Sequence, residues 1–178
     1  FFKGVGLEIL IDPSYRPEHS VNEMIQENPY PPDLADLYRL YQFIVLNRRI
    51  TVLEFGCGWS SLVMAHALES NRISYFEEVK NLRRNNPFQI SILDNEEKFL
   101  KIAQSRLDEA GLNNAKFMSS DVVMTKFNDR LVNQYQCLPQ INPDFIYLDG
   151  PDQFNVKGSV SGLSIAHKDF MPMSSDIL

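Results

Sequence analysis

Histidine, cysteine and tryptophan are scarce in this chain, at three, two and one residues. Cys57 and Cys137 lie far apart and in no CxxC spacing, so neither a disulfide framework nor a zinc site is expected. Cys57 stands between two glycines and reads as a small, close-packed residue rather than a reactive thiol. Basic residues are also outnumbered, 17 against 23 acids, for a net charge of −6. That balance argues against nucleic acid as a partner, because phosphate backbones are held by clustered Lys and Arg. The pair Arg83-Arg84 is the local exception and reads as a solvated helix face. Long apolar runs are missing too: the stretch from Val5 to Ile11 is broken by Glu8 and is too short to span a bilayer. No secretory pattern is visible, and the cytoplasm is the expected compartment. The chain opens on Phe1 rather than Met, which suggests residues upstream.

The 178 residues suit one domain with its own core. Residues 1–32 carry Pro13, Pro17, Pro29, Pro31 and Pro32 and read as an irregular segment ahead of a domain at 33–178. Asp33 can cap a helix whose apolar positions are Leu34, Leu37, Leu40, Tyr41 and Ile44. Ile50 to Phe55 is a short β-rich run, a buried strand. A turn at Gly56-Cys57-Gly58 follows, and Ser60 or Ser61 can cap the next helix. The stretch "ISYFEEVKNLRRNN" fits either a strand and a helix or one inserted helix. A strand then ends at Asp94, and "NEEKFLKIAQSRLDEAGL" is a helix closed by Gly111 and Leu112. A strand reaches Asp121, "DRLVNQYQCL" reads as a short helix, and "PDFIYLDGPD" is a last strand. Beyond it, Gly158, Ser159, Ser161, Gly162 and Ser164 suggest a loop. Strands alternating with helices predict an α/β, doubly wound, mostly parallel sheet with helices on both faces.

In such sheets ligands bind beyond the carboxyl ends of the strands. Asp94, Asp121 and Asp149 stand at such ends, and Glu54 precedes the glycine turn. Four acids on one rim suit a ligand rich in hydroxyl, amino and cationic groups, not a polyphosphate. Ser61 stands where the dinucleotide fingerprint has its third glycine, so that pattern is only half met.

At these residues the chain resembles the class I S-adenosylmethionine-dependent methyltransferases. Glu54-Phe55-Gly56-Cys57-Gly58 fits their first motif of acid, any residue, Gly, any residue, Gly. The resemblance spans about residues 34 to 152 and implies a Rossmann-like methyltransferase fold. It implies that the turn, with Gly56, Cys57, Gly58, Trp59 and Ser60, passes under the methionine part of the cofactor. Glu54 would help hold the cofactor's amino group, directly or through water. Asp94, with Asn95 beside it, would accept the ribose hydroxyls, and Ser120-Asp121 would lie at the adenine. Trp59 can equally pack the helix start. Asp94 comes later after the glycines than the usual ~20 residues. An insertion at Asn71–Pro87 would account for that, and Glu77 is the rival acid.

The implied reaction is methyl transfer to a small molecule, at a hydroxyl. Asp149 and Asp152 are the candidate catalytic bases, with His167 behind them. S-adenosylmethionine is the expected cofactor. No metal is assigned, though a magnesium ion headed by Asp149 is a minor alternative, as in catechol-type relatives. An aminopropyl transferase of the spermidine synthase type, a nicotinamide-dependent oxidoreductase and a non-catalytic partner subunit are the competing readings. The family fold has seven strands and four are counted here, so a longer polypeptide with later strands is expected.

Overall fold

The computed structural model describes residues 1–12, 31–151, 155–165 and 173–177. The proline-rich stretch, Asp152 and His167 fall outside these residues. The N-terminal end is less irregular than its sequence suggests. Helix α1 (Phe2–Val5) and a 3₁₀ turn (Glu8–Ile11) form because Phe2, Leu7 and Leu10 can be buried against the helices that follow.

Helix α2 (Leu34–Leu46) starts as expected, with the Asp33 carboxylate accepting from the Ala35 N–H at 2.9 Å and the Asp36 N–H at 3.1 Å. Strand β1 (Thr51–Phe55) is buried along its whole length. Helix α3 (Trp59–Val79) then runs unbroken for 21 residues. The ambiguous stretch is therefore helix to Val79, which is why Asp94 comes late. Glu77 sits on that helix, paired with Lys80, and not at a strand end. Strand β2 (Gln89–Asp94) is followed by helix α4 (Glu97–Glu109), which buries Leu100, Ala103 and Leu107. Gly111 takes φ 69, and the Leu112 N–H reaches back to the Leu107 carbonyl at 2.9 Å, closing the helix as its sequence predicts.

Strand β3 (Ala115–Ser119) leads into the main correction. The expected short helix at "DRLVNQYQCL" is strand β5 (Arg130–Tyr135), paired antiparallel with β4 (Val122–Phe127). Asn128 and Asp129 both take positive φ, 47 and 62, which is the two-residue turn that a tight hairpin needs. Strands β6 (Phe145–Leu148), β7 (Val156–Lys157) and β8 (Met173–Ser174) complete the set among the described residues.

The strands form two sheets, ordered β3-β2-β1-β6 and β7-β4-β5-β8. Every pair in the first is parallel, with Phe55 opposite both Leu93 and Leu148. The fold is thus α/β, a four-stranded parallel sheet flanked by helices. Val52, Ile90 and Ile92 face the core they share with α2, α3 and α4. Leu53, Phe55 and Leu93 face the other way and pack on Val122, Met124, Tyr135 and Val156 of the second sheet. Among the described residues that face is covered by strands, where the sequence predicts helices. The apolar alternation of β4 and β5 is what lets a hairpin seal it. Arg83-Arg84 lies in the loop after α3 rather than on a helix, and Arg84 Nη1 donates to the Asn142 carbonyl at 2.6 Å. No helix among the described residues is long and apolar enough to cross a membrane.

Candidate functional site at the strand ends

The carboxyl ends of β1, β2 and β6 meet at the glycine turn. Gly56 takes φ 85, and a Cβ there would lie 3.0 Å from the Asp149 carbonyl carbon and oxygen and the Gly150 nitrogen. A Cβ on Gly150 would lie 2.8 Å from the Gly56 Cα. Each glycine is therefore required by the other, because two backbones pass where no side chain fits. The Gly56 N–H donates to the Leu93 carbonyl at 2.8 Å, and the Asp149 N–H to that of Phe55 at 2.9 Å. These bonds bring Glu54, Asp94 and Asp149 to one place.

Glu54 is completely buried. Its carboxylate accepts from the Ser60 hydroxyl at 2.5 Å and the Ser61 hydroxyl at 2.6 Å, both in the first turn of α3. Ser61 Oγ in turn accepts the Gly58 N–H at 3.2 Å. Burial raises the Glu54 pKa to about 8; the two serines oppose that rise, and Asp149 and Asp94 add to it. Glu54 is thus sealed beneath the turn, and anything above it is reached through the serines or water.

Asp94 is also buried, which raises its pKa. The Glu96 N–H donates to it at 2.8 Å, and the Cys57 and Asn95 N–H groups and the Cys57 thiol oppose the rise. Burial pushes the Cys57 thiol far up, and Asp94 beside it adds to this, so Cys57 is a packed thiol and not a nucleophile at neutral pH. Asp149 is exposed on one side, yet the protein around its other side still raises its pKa.

Beyond β2 and β3 lies a cleft of about 440 Å³ lined by Asn95, Glu96, Asp121, Asn155, Val156 and Lys157. Asp121 pairs with Lys157 at 2.6 Å and Glu96 accepts from the Asn155 amide at 2.6 Å, so both acids are anchored at its wall. Asn95 Oδ1 is buried there with no hydrogen-bond partner among the described residues. Ser120 faces inward instead, its hydroxyl accepting the Cys137 N–H at 3.0 Å. Trp59 is buried with the Arg106 guanidinium 3.7 Å from its ring centroid, so it packs the start of α3 against α4. The turn, Asp94, Asn95 and Asp149 are brought together, with Asp121 at the neighbouring cleft wall and Ser120 turned away from it. Asp152 lies outside the described residues.

Tyr135 was not expected here. Its ring stacks on Phe55 at 5.8 Å between centroids, and its hydroxyl lies against Gly150, 3.2 Å from where a Cβ would stand. Reading its segment as a helix hid it. Among the described residues no cluster of three or more His, Cys, Asp or Glu side chains is arranged to hold a metal ion. Comparison with protein-family models and with curated proteins finds no match to this chain.

Proposed function

We propose that the chain is a cytoplasmic S-adenosylmethionine-dependent methyltransferase acting on a small molecule, at a hydroxyl, built on a doubly wound, Rossmann-like fold. The observation that carries this reading is the backbone contact of Gly56 with Gly150, which sets Asp94 and Asp149 beside the glycine turn. Three features fit such a cofactor. The turn is held close against the end of β6 by a backbone contact that a Cβ on either glycine would break. The adjoining cleft, about 440 Å³, is roomy enough for an adenosine. The buried Asn95 Oδ1 is an acceptor awaiting a donor, and adenosine offers an amino group and two hydroxyls.

Bound there, the cofactor supplies a methyl group on a cationic sulfur, with a neutral thioether as leaving group. The protein's part is then positioning, exclusion of water and removal of one proton. Asp94 and Asn95 would hold the ribose side. Glu54, through Ser60 and Ser61, would hold the amino end. Asp149 is the exposed acid at the rim, and its raised pKa makes it a better proton acceptor than an ordinary aspartate.

Calorimetric titration tests the reading. The chain should bind S-adenosylmethionine and not NADH, and Asp94→Asn should weaken that binding by about tenfold or more. Binding of NADH alone would overturn it.

A further inference from the structure

The cleft at the amino ends of the strands takes no part in the proposed reaction, and its charge is opposite to that of the first. It measures about 430 Å³ and lies between the loop after α3 and the loop before β6. Arg83, Arg84, Asn85 and Asn86 line it from one loop, and Gln140 and Asn142 from the other. The first cleft carries Glu96 and Asp121. This one has two guanidiniums and no acid among its lining residues, in a chain where acids outnumber bases 23 to 17. Its walls are tied in place. Thr51, at the start of β1, donates its hydroxyl to the Asn86 carbonyl at 3.1 Å. Arg84 Nη1 donates to the Asn142 carbonyl at 2.6 Å, which joins the two loops and fixes that guanidinium. Asp144 comes within 4.0 Å of Arg84 Nη2, yet its carboxylate already accepts from the Ile50 and Thr51 N–H groups. Arg83 is exposed and makes no ion pair or hydrogen bond among the described residues. The side-chain amides of Asn85, Asn86, Gln140 and Asn142 make no hydrogen bond among them either.

Two guanidiniums suit a dianion, since each can offer paired N–H donors to phosphate oxygens. The amides, each both donor and acceptor, suit hydroxyls. Ile141 is the one apolar lining residue and no aromatic ring lines the cleft, so neither a nucleobase nor a lipid chain has a surface to lie on. We infer that this cleft is a second binding site, for a small phosphorylated polyol of the sugar phosphate class, with Arg83 and Arg84 on the phosphate and the amides on the hydroxyls. No carboxylate, imidazole or thiol lines it, so the site is one for binding rather than proton transfer. The glycine turn lies at the other end of β1, about 15 Å away along a five-residue strand. The inference therefore stands whether or not S-adenosylmethionine binds at the turn.

Calorimetry at fixed ionic strength tests it with glucose 6-phosphate, inorganic phosphate and glucose as probes. The wild type should bind glucose 6-phosphate, bind inorganic phosphate about tenfold more weakly and show no binding of glucose. Arg83→Gln is the informative variant, because Arg83 supports nothing else among the described residues. It should bind glucose 6-phosphate about tenfold more weakly, with an unchanged melting temperature. Amide hydrogen exchange with glucose 6-phosphate should slow at residues 83–86 and 140–142 and not at 54–61. No binding of glucose 6-phosphate, binding no tighter than that of inorganic phosphate, equal binding by Arg83→Gln, or protection centred on the glycine turn would overturn the inference.

Discussion

At the floor of the site, Glu54 holds two serine hydroxyls and no cation among the described residues. Its pKa of about 8 in the fold, against 4.5 for a free glutamate, means that the native state keeps a proton that the unfolded chain loses. Stability from this group is full below about pH 4.5 and is lost as pH rises through about 8. Asp94 and Asp149 are shifted in the same direction. The melting temperature should therefore fall from about pH 5 to about pH 8, and Glu54→Gln should flatten much of that fall. An unchanged slope in the variant would show that Glu54 is not the group responsible. At this scale the sequence was informative where a residue's neighbours in the chain fix its role. Glu54, Gly56 and Gly58 are near neighbours in the chain, and their grouping could be read; Ser60 or Ser61 reads as the cap of α3, but Gly58 takes that place and both serine hydroxyls go to Glu54. The need for glycine at 150, the place of the Tyr135 hydroxyl against it and the inward turn of Ser120 depend on partners far along the chain, and nothing local announces them.

Among the elements, α2, β1, β2 and α4 were legible because each has a run of apolar residues at one clear period, with Asp33 and Gly111 marking two ends. The hairpin was not. Leu131, Val132 and Tyr135 sit at offsets that a helix satisfies as well as a strand, and its turn is Asn-Asp rather than the more telling Asn-Gly. The turn offers its own test. Asp129 holds φ 62, which a glycine adopts freely and a β-branched residue does not. Asp129→Gly should leave stability unchanged or raise it by roughly 0.5 kcal/mol, while Asp129→Val should lower it by about 1–2 kcal/mol. Denaturant unfolding measures both. Were Asp129 instead the N-cap of a helix, the glycine would lower stability by a few tenths of a kcal/mol rather than leave it unchanged or raise it.

Taken whole, the molecule has a parallel sheet with two unlike ends. The carboxyl end carries the glycine turn, the acids and the cleft beside Asn95. The amino end carries a second cleft of about 430 Å³, lined by Arg83, Arg84 and the amides of Asn85, Asn86, Gln140 and Asn142. Alternation of strands and helices made the parallel sheet legible, and the rule for such sheets selects the first end. What covers the second face was not legible, because the hairpin that packs on it reads as a helix and β7 is two residues long. Which end takes the ligand is the central claim, and amide hydrogen exchange with and without S-adenosylhomocysteine decides it. The account predicts slower exchange at Glu54–Ser61, Asp94–Glu96, Ser120–Asp121 and Asp149–Gly150. Protection confined to Arg83–Asn86 and Gln140–Asn142, or absent altogether, would contradict it.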